Sequence, residues 1–446
     1  MSILYAASVA IEAGLDVLFL DALGERLTLE QTRDRCQGYD VVVVLTSTMT
    51  FAEDMHVLKS IKSVYPDLRV VLFGSHPTFL PEHCLAHELV TAVVMREPEY
   101  ALRDLLLAWD QKKPWEDVPG IAYRMAGKVH INPAYPYIKN LDDMPIPHRH
   151  LLPKGEQYYN PLIRKYPYVT MLTSRGCPAK CTFCTAPYSL GMSLRVRSAA
   201  SVLKEMSLVA EQGCKTVYFR DETFCAYKKR NVEICKGLIS RGIRLQWIAN
   251  AISGELDEDY LQLMKKAGLC QLKFGVETGN AEILARANKK IDLNTVRKEL
   301  AMCRKIGIRT HAHMMLGMPG ETRQTIENTF RFIHEAAPTT VTYSVCSPYP
   351  GTPLFEEISK LVPSAVIVPS DDLHIKQLHT VSYYNEHFTE LTNQEIEAAV
   401  QEGYRRFYTR PAYLLRSLLD IRSFREAISL FRSGWNVMFF SLSGDK

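Results

Sequence analysis

Apolar positions fall into two alternating periods along the first 112 residues. Ser2–Ala13, the stretch around Leu29, Phe51–Tyr65 and Tyr100–Trp109 repeat apolar residues at the three- and four-residue spacing of an amphipathic helix. Between them lie short apolar runs, Asp16–Leu20, Asp40–Leu45, Arg69–Phe73 and Leu89–Val94, bounded by polar residues and predicted as strands. The run Val41-Val42-Val43-Val44-Leu45 is apolar on both faces, as a parallel strand covered on both sides requires. This alternation predicts an α/β, Rossmann-like unit. Gly120–Asn132 reads as a hairpin turning at Ala126-Gly127-Lys128, and Asn140–Pro147, polar and broken by prolines, as a linker.

Strand and helix patterns alternate again from Tyr166 to Glu357. Val169–Thr173, Thr216–Phe219, Gln246–Ala249, Gln271–Gly275, Thr310–Leu316 and Thr342–Cys346 are the predicted strands, with helices such as Ala200–Gly213 and Leu256–Ala267 between them. They predict a partial (β/α)6 TIM-type barrel, whose chemistry collects at the carboxyl ends of the strands. Residues 388–446 read as helical, with Thr389 and Thr392 as N-cap candidates. The aromatic and arginine mixture at Tyr404–Tyr408 and Tyr413–Arg416 is amphipathic. A helical cap over the barrel mouth is the preferred reading, because no sustained basic face is present; the alternative is peripheral membrane contact through Trp435, Phe439 and Phe440. The expected divisions are 1–112, a Rossmann-like domain; 113–165, hairpin and linker; 166–360, barrel; and 361–446, a helical C-terminal region.

Composition narrows the classes. The chain has 446 residues, 47% hydrophobic and 23% charged, which suits two or three packed domains. Its net charge of +4 comes from 53 basic and 49 acidic residues spread along the chain, so a nucleic-acid partner is not expected. The apolar start is interrupted by Glu12 and Asp16 and has no Lys or Arg before Arg26, unlike a signal peptide. Apolar runs such as Val41–Leu45 and Val437–Leu442 fall far short of the roughly eighteen residues a spanning helix needs. Eleven cysteines without a paired framework fit a reducing compartment, and a cytoplasmic location is expected.

The most informative chemistry is in Thr173-Ser174-Arg175-Gly176-Cys177-Pro178-Ala179-Lys180-Cys181-Thr182-Phe183-Cys184, just after a predicted strand. Cys177, Cys181 and Cys184 can hold three corners of a cubic iron–sulfur cluster, which takes four thiolates when closed, so one iron would stay open. A structural zinc knot is the alternative, but it needs four ligands, and the next candidates are distant: Cys214, His148 and His150. With Phe183 before the last cysteine, the run resembles the Cys-x3-Cys-x2-Cys signature of the radical S-adenosylmethionine (SAM) superfamily. That resemblance implies a [4Fe–4S] cluster whose open iron chelates the amino and carboxylate groups of SAM. An injected electron then cleaves SAM to a 5′-deoxyadenosyl radical that abstracts a substrate hydrogen.

The preceding domain resembles the cobalamin-binding domain of class B members of that superfamily, through Ala13–Val17, Thr46-Ser47-Thr48 and Gly74-Ser75-His76-Pro77-Thr78. The resemblance implies cobalamin contacts at Ser47, Gly74 and His76; ordinary turn chemistry is the alternative. Two departures stand out. The sequence begins inside the first helix of the family pattern, so the expectation is that either the start is misplaced or the first strand, and with it one side of the cobalamin pocket, is lost and cobalamin binding impaired. No Asp-x-His-x-x-Gly motif is present either.

Within the barrel, the resemblance implies SAM contacts from Phe183, from Asp221 and Glu222 to the amino group, from Asn250 to ribose, and from Gly275 and Glu277 of Gly275-Val276-Glu277-Thr278-Gly279. It also implies support of adenine by the turn Gly317-Met318-Pro319-Gly320-Glu321-Thr322, and a substrate-side loop at Ser347–Pro353. The alternatives are structural: acidic residues at a helix start, a capped turn, an Asn satisfying backbone. Cys225 and Cys346 are candidates for a second functional thiol, or simply buried cysteines.

The implied function is cobalamin-dependent methylation of an unactivated carbon, in the group that includes hopanoid-pathway enzymes and the anaerobic magnesium-protoporphyrin ester cyclase. The alternatives are a non-methylating oxidative cyclase or rearranging enzyme, and a non-catalytic cluster or zinc protein. Implied partners are a small-molecule substrate, lipid or tetrapyrrole among them, and a flavodoxin- or ferredoxin-type reductant.

Overall fold

The structure is a computed structural model that describes residues 2–153, 158–361, 385–411 and 413–415. Its first sheet contains β1 (Val41–Leu45), β2 (Arg69–Phe73), β3 (Ala92–Val94), β4 (Ile121–Met125) and β5 (Lys128–Ile131), in that order. β1 to β3 are parallel; β4 runs antiparallel to β3 and pairs with β5 in a hairpin. Side chains alternate along each strand, so one sequence covers two faces. Val71, Phe73 and Val94 pack under helices Ser2–Glu12 and Pro98–Asp110, against Ala6, Ala101 and Leu105. Val70, Leu72 and Val93 pack under helices Phe51–Val64 and Pro81–Ala86, against Met55, Leu58 and Leu85. Each such burial contributes about 1.5–3 kcal/mol.

One predicted strand does not form: Asp16–Leu20 is irregular and joins no ladder. A strand needs a neighbour as well as a pattern. β1 stands at the edge of its sheet, and no described strand lies beyond it for 16–20 to pair with.

The second sheet is parallel throughout, in the order β6 (Tyr168–Met171), β9 (Thr216–Phe219), β10 (Gln246–Ala251), β11 (Leu269–Glu277), β12 (Arg309–Leu316) and β13 (Thr340–Val345). A two-stranded ribbon, β7 (Ser174–Arg175) with β8 (Arg195–Val196), brackets the cysteine loop. Outward residues such as Phe219, Trp247, Phe274, Met314 and Tyr343 form the main core beneath the surrounding helices. Helices Glu258–Lys266 and Leu293–Ile306 begin at Asp257 and Asp292, whose side chains accept from Tyr260 N and Thr295 N.

Helix Asn393–Tyr408 opens with the expected cap, Thr392, in a reciprocal capping box with Glu395. It does not cover the barrel mouth. Ile396, Val400 and Phe407 pack into the outer core beside β13. The hydroxyls of Tyr404 and Tyr408 each accept from and donate to the main chain of Tyr343 and Val341, at 2.7–3.3 Å. The helix therefore satisfies the free edge of the last strand. Trp435, Phe439 and Phe440 lie outside the described residues. Among the described residues no helix is long and apolar enough to cross a membrane.

Candidate active site at the facing strand ends

The carboxyl ends of the two sheets point at each other. Beyond β13, the Tyr349 hydroxyl lies 3.4 Å from Met49 Sδ in the loop after β1, and Gly351 meets the Phe79 ring so closely that an ideal Cβ would sit 2.0 Å from it. On the other side, Arg175 of β7 is clamped by the acids that follow β3. Its Nη1 donates to Glu99 Oε2 at 3.1 Å, its Nη2 to Glu99 Oε1 at 2.5 Å, and Glu97 stands 3.3 Å away. Arg195 of β8 donates to both oxygens of Glu97 at 2.8 and 2.9 Å. Burial opposes the charge on Arg175, but Glu99 and then Glu97 outweigh it and hold the guanidinium above its ordinary value.

The cysteine loop sits on this clamp. Gly176 (φ 88°) has no room for a Cβ, which would fall 2.3 Å from Ser193 O. Cys177 N donates to Gly191 O, Thr182 N to Ala287 O, and Leu354 N to Thr182 O, at 3.0–3.1 Å, so the loop is fixed from three sides. Cys177 and Cys181 are buried and Cys184 is half-buried. Burial pushes all three thiols up, Cys184 to about 12. A bound metal's charge supplies the stabilisation that these thiolates otherwise lack. Among the described residues no three His, Cys, Asp or Glu side chains converge as ligands of a single metal ion. A cubic cluster takes each thiolate on a separate iron, and three cysteines spread along one fixed loop suit that donor pattern. Phe183 is half-buried and packs against Ile283, Met318, Cys346 and Leu354.

The two adjacent acids after β9 part company. Asp221 is buried, and its carboxylate accepts from Thr173 N at 2.7 Å, from Ser174 Oγ at 2.7 Å and from Thr173 Oγ1. Asn250 donates to the main-chain oxygen of Asp221 at 2.7 Å. Asp221 and Asn250 therefore build the floor on which the cysteine loop starts, and neither offers its bonded groups to a ligand. Glu222 is reachable by water and lies within electrostatic range of Cys177 and Cys184; enclosure by the surrounding protein pushes its carboxyl up. Glu277, at φ 70°, follows a bulge in the β11–β12 pairing and is ion-paired to Lys289 at 3.2 Å. Gly275 leaves space for that carboxylate, since a Cβ there would lie 2.7 Å from Glu277 Oε1.

In the first sheet, Ser47 N donates to Thr50 Oγ1 at 3.0 Å, closing the turn after β1. Gly74 (φ 123°) passes so near that turn that a Cβ would be 2.1 Å from Thr46 O. His76 is buried, with Nδ1 3.1 Å from Thr48 Oγ1, Nε2 3.0 Å from His83 Nδ1, and its ring stacked on Phe51 at 4.3 Å. Both nitrogens are engaged, and burial, then His83 and His87, hold it neutral by lowering its pKa to about 3. His76 supports the loop after β1 from below.

Two family models match this arrangement: the Radical SAM superfamily over residues 171–333, and the B12 binding domain over residues 1–106. Residues 171–333 thus carry a radical SAM domain, with a B12-binding domain in front. An uncharacterized methyltransferase of Pyrococcus horikoshii is 28% identical over 95% of this chain and 91% of its own length. The anaerobic magnesium-protoporphyrin IX monomethyl ester cyclase of Rubrivivax gelatinosus is 26% identical over 96% and 77%. Among solved structures, the radical SAM methyltransferase TsrM from Kitasatospora setae superposes with a TM-score of 0.74 at 18% identity, over 99% of this chain and 96% of that one, and so shares the fold. The chain is thus a radical SAM enzyme, and the cofactors of its two families are a [4Fe–4S] cluster, SAM and cobalamin.

Beyond the residues that sequence reasoning selected, this radical SAM site contains Arg175, Arg195, Glu97, Glu99 and Lys289. Glu97-Pro98-Glu99 reads in sequence as an ordinary acidic helix start, and Lys289-Lys290 as a solvated pair. Gly317 (φ 77°) anchors the turn after β12, where Glu321 Oε2 accepts from the main-chain N–H of Gly317 and, at 3.1 Å, of Met318. Glu321 Oε1 is buried without a hydrogen-bond partner among the described residues. Burial pushes this carboxyl to about 7 against the opposing pull of those two amides. Cys225 and Cys346 are fully buried and their thiols are pushed far up by burial, as expected of packing cysteines.

Glu321 gives the superfamily turn a pH dependence. Between its ordinary value of 4.5 and about 7 the folded chain holds a proton that the unfolded chain has released. Stability contributed by this group is therefore full in acid and falls as pH rises through that window, by about 3 kcal/mol in total. The Glu321→Gln protein should show a flatter dependence of its unfolding midpoint between pH 5 and 8 than the wild type. Equal slopes would place the titration elsewhere.

Proposed function

We propose that this enzyme methylates an unactivated carbon of a small molecule, with cobalamin bound between the loops after β1 and β2 and SAM at the cysteine loop. The supporting observation is the apposition of the two sets of strand ends, fixed by Arg175 and Arg195 on Glu97 and Glu99 and by Tyr349 and Gly351 on Met49 and Phe79. When bound, the cluster supplies the electron that cleaves SAM, and the corrin supplies the methyl group. The protein's residues do the placing. Cys177, Cys181 and Cys184 hold the cluster, Glu222 accepts from the ammonium of SAM, and Glu277, oriented by Lys289, faces the ribose or methionine end. Gly275 and Gly317 keep the adjoining turns open; Asp221, Asn250 and Phe183 hold the cysteine loop; Ser47, Gly74 and His76 shape the corrin side. Residues 1–112 form the cobalamin half, 113–165 the connection, 166–360 the radical core and 361–446 the C-terminal region. A flavodoxin- or ferredoxin-type protein in the cytoplasm is the proposed electron donor, and a lipid or tetrapyrrole the proposed substrate.

A second reading is a non-methylating oxidative cyclase, favoured by the relative named a monomethyl ester cyclase that matches 96% of this chain. Methyl-deuterated SAM separates the two without a known substrate. The methylating reading predicts label on the corrin recovered from reduced holoenzyme; the cyclase reading predicts 5′-deoxyadenosine without it.

A further inference from the structure

The interior of an α/β barrel is normally filled by bulky branched side chains. Here its upper part is polar. Strand register aligns Asn250, Lys273, His311 and Thr340 on one rung, and Gly275, His313 and Thr342 on the next. Below them Tyr218 packs with Ile163 and Ile248, closing the bottom. Lys273 Nζ donates to the Tyr218 hydroxyl and stands 5.1 Å from the ring centroid; the guanidinium of Arg220, two residues after Tyr218 and just past the end of β9, is also 5.1 Å from that ring. Among the described residues no carboxylate lies within ion-pair distance of Arg220 or Lys273, whereas Lys289 is matched by Glu277. His313 is held neutral, its pKa lowered to about 3 by burial and then by Lys273, Lys289 and Arg220.

We infer that Arg220 and Lys273 form a binding site for an anionic group of the substrate, a carboxylate or a phosphate, inside the barrel. Arg220 is exposed and Lys273 half-buried; two cations sharing one tyrosine ring repel each other, and an anion between them relieves it. Arg220 supplies the fork that grips two oxygens, and Lys273 a point charge already aimed by Tyr218. Neutral His313 adds a hydrogen-bonding group without adding repulsion. Because of the bulge before Glu277, Lys273 lies three β12 positions below it, about 10 Å down the strand, and its ammonium is held by Tyr218. The inference rests on the proposed reaction only in placing the substrate inside the barrel.

The test uses inorganic phosphate titrated by calorimetry into the anaerobically reconstituted full chain, with chloride at equal ionic strength as control, with and without SAM. Saturable phosphate binding is expected in both conditions. It should weaken about tenfold or more in Lys273→Met and in Arg220→Gln, as loss of one charge-assisted bond implies, and largely return in Lys273→Arg, while SAM affinity stays at the wild-type value in all three. Absence of saturable binding by the wild type, or unchanged binding in both charge-removing variants, overturns the site. Competition by SAM overturns it too, since the cations then serve the carboxylate of SAM. These outcomes are readable even if the wild type makes no 5′-deoxyadenosine, a failure that counts against the proposed reaction instead.

Discussion

Cys181→Ala should abolish reductive cleavage of SAM, a loss on the order of 10³-fold or more, because a unit of cooperating ligands fails as a whole. The protein should nevertheless fold. The loop that carries Cys181 is fixed by main-chain bonds from Cys177, Thr182 and Leu354 and by the packing of Phe183, none of which uses the Cys181 thiol. The measurement is 5′-deoxyadenosine formation under a strong reductant, beside circular dichroism of the same samples. A variant that still cleaves SAM at more than a few per cent of the wild-type rate would remove Cys181 from the ligand set.

Glu99→Gln is expected to cost about 3–5 kcal/mol, the range for leaving a buried charge without its partner. Arg175 keeps only the more distant Glu97, which already serves Arg195. An anaerobic melt of the full chain should show the unfolding midpoint falling by about 3–5 °C. Arg175→Lys in the otherwise wild-type chain should also lower the midpoint, since an ammonium cannot span both carboxylates as the guanidinium does. Replacing Glu97, Glu99, Arg175 and Arg195 together with apolar residues of similar volume should recover much of the loss, because no unmatched charge remains. A Glu99→Gln protein within about 1 kcal/mol of wild type would mean that the clamp does not fix the cysteine loop to the first sheet.

Elements whose evidence is local were legible in the sequence. Arg69–Phe73 and Thr216–Phe219 were predicted with the observed bounds, because each is an apolar run with polar residues at both ends. The Ala126-Gly127 turn was equally plain, and both residues adopt the positive φ that a tight hairpin demands. Asp16–Leu20 failed because strand formation depends on a partner that no local pattern reveals. The C-terminal helix was found through Thr392, but its position beside β13 depends on Tyr404 and Tyr408 reaching main-chain groups about sixty residues earlier in sequence. At the site, the cysteines stood out by spacing. Asp221 and Glu222 did not separate, since two adjacent acids look alike until the backbone turns one into the floor and the other toward the opening. Arg175, Lys273 and Lys289 escaped notice because a buried cation differs from a solvated one only in what the fold packs around it.

The account stands most directly on one assay: 5′-deoxyadenosine measured after anaerobic reconstitution of the wild-type chain with iron and sulfide, in the presence of SAM and a strong reductant. The predicted result is its formation, dependent on both SAM and reductant, by protein carrying a [4Fe–4S] absorbance. A fully reconstituted protein that makes none, or one that binds a stoichiometric zinc ion in place of iron, would contradict it.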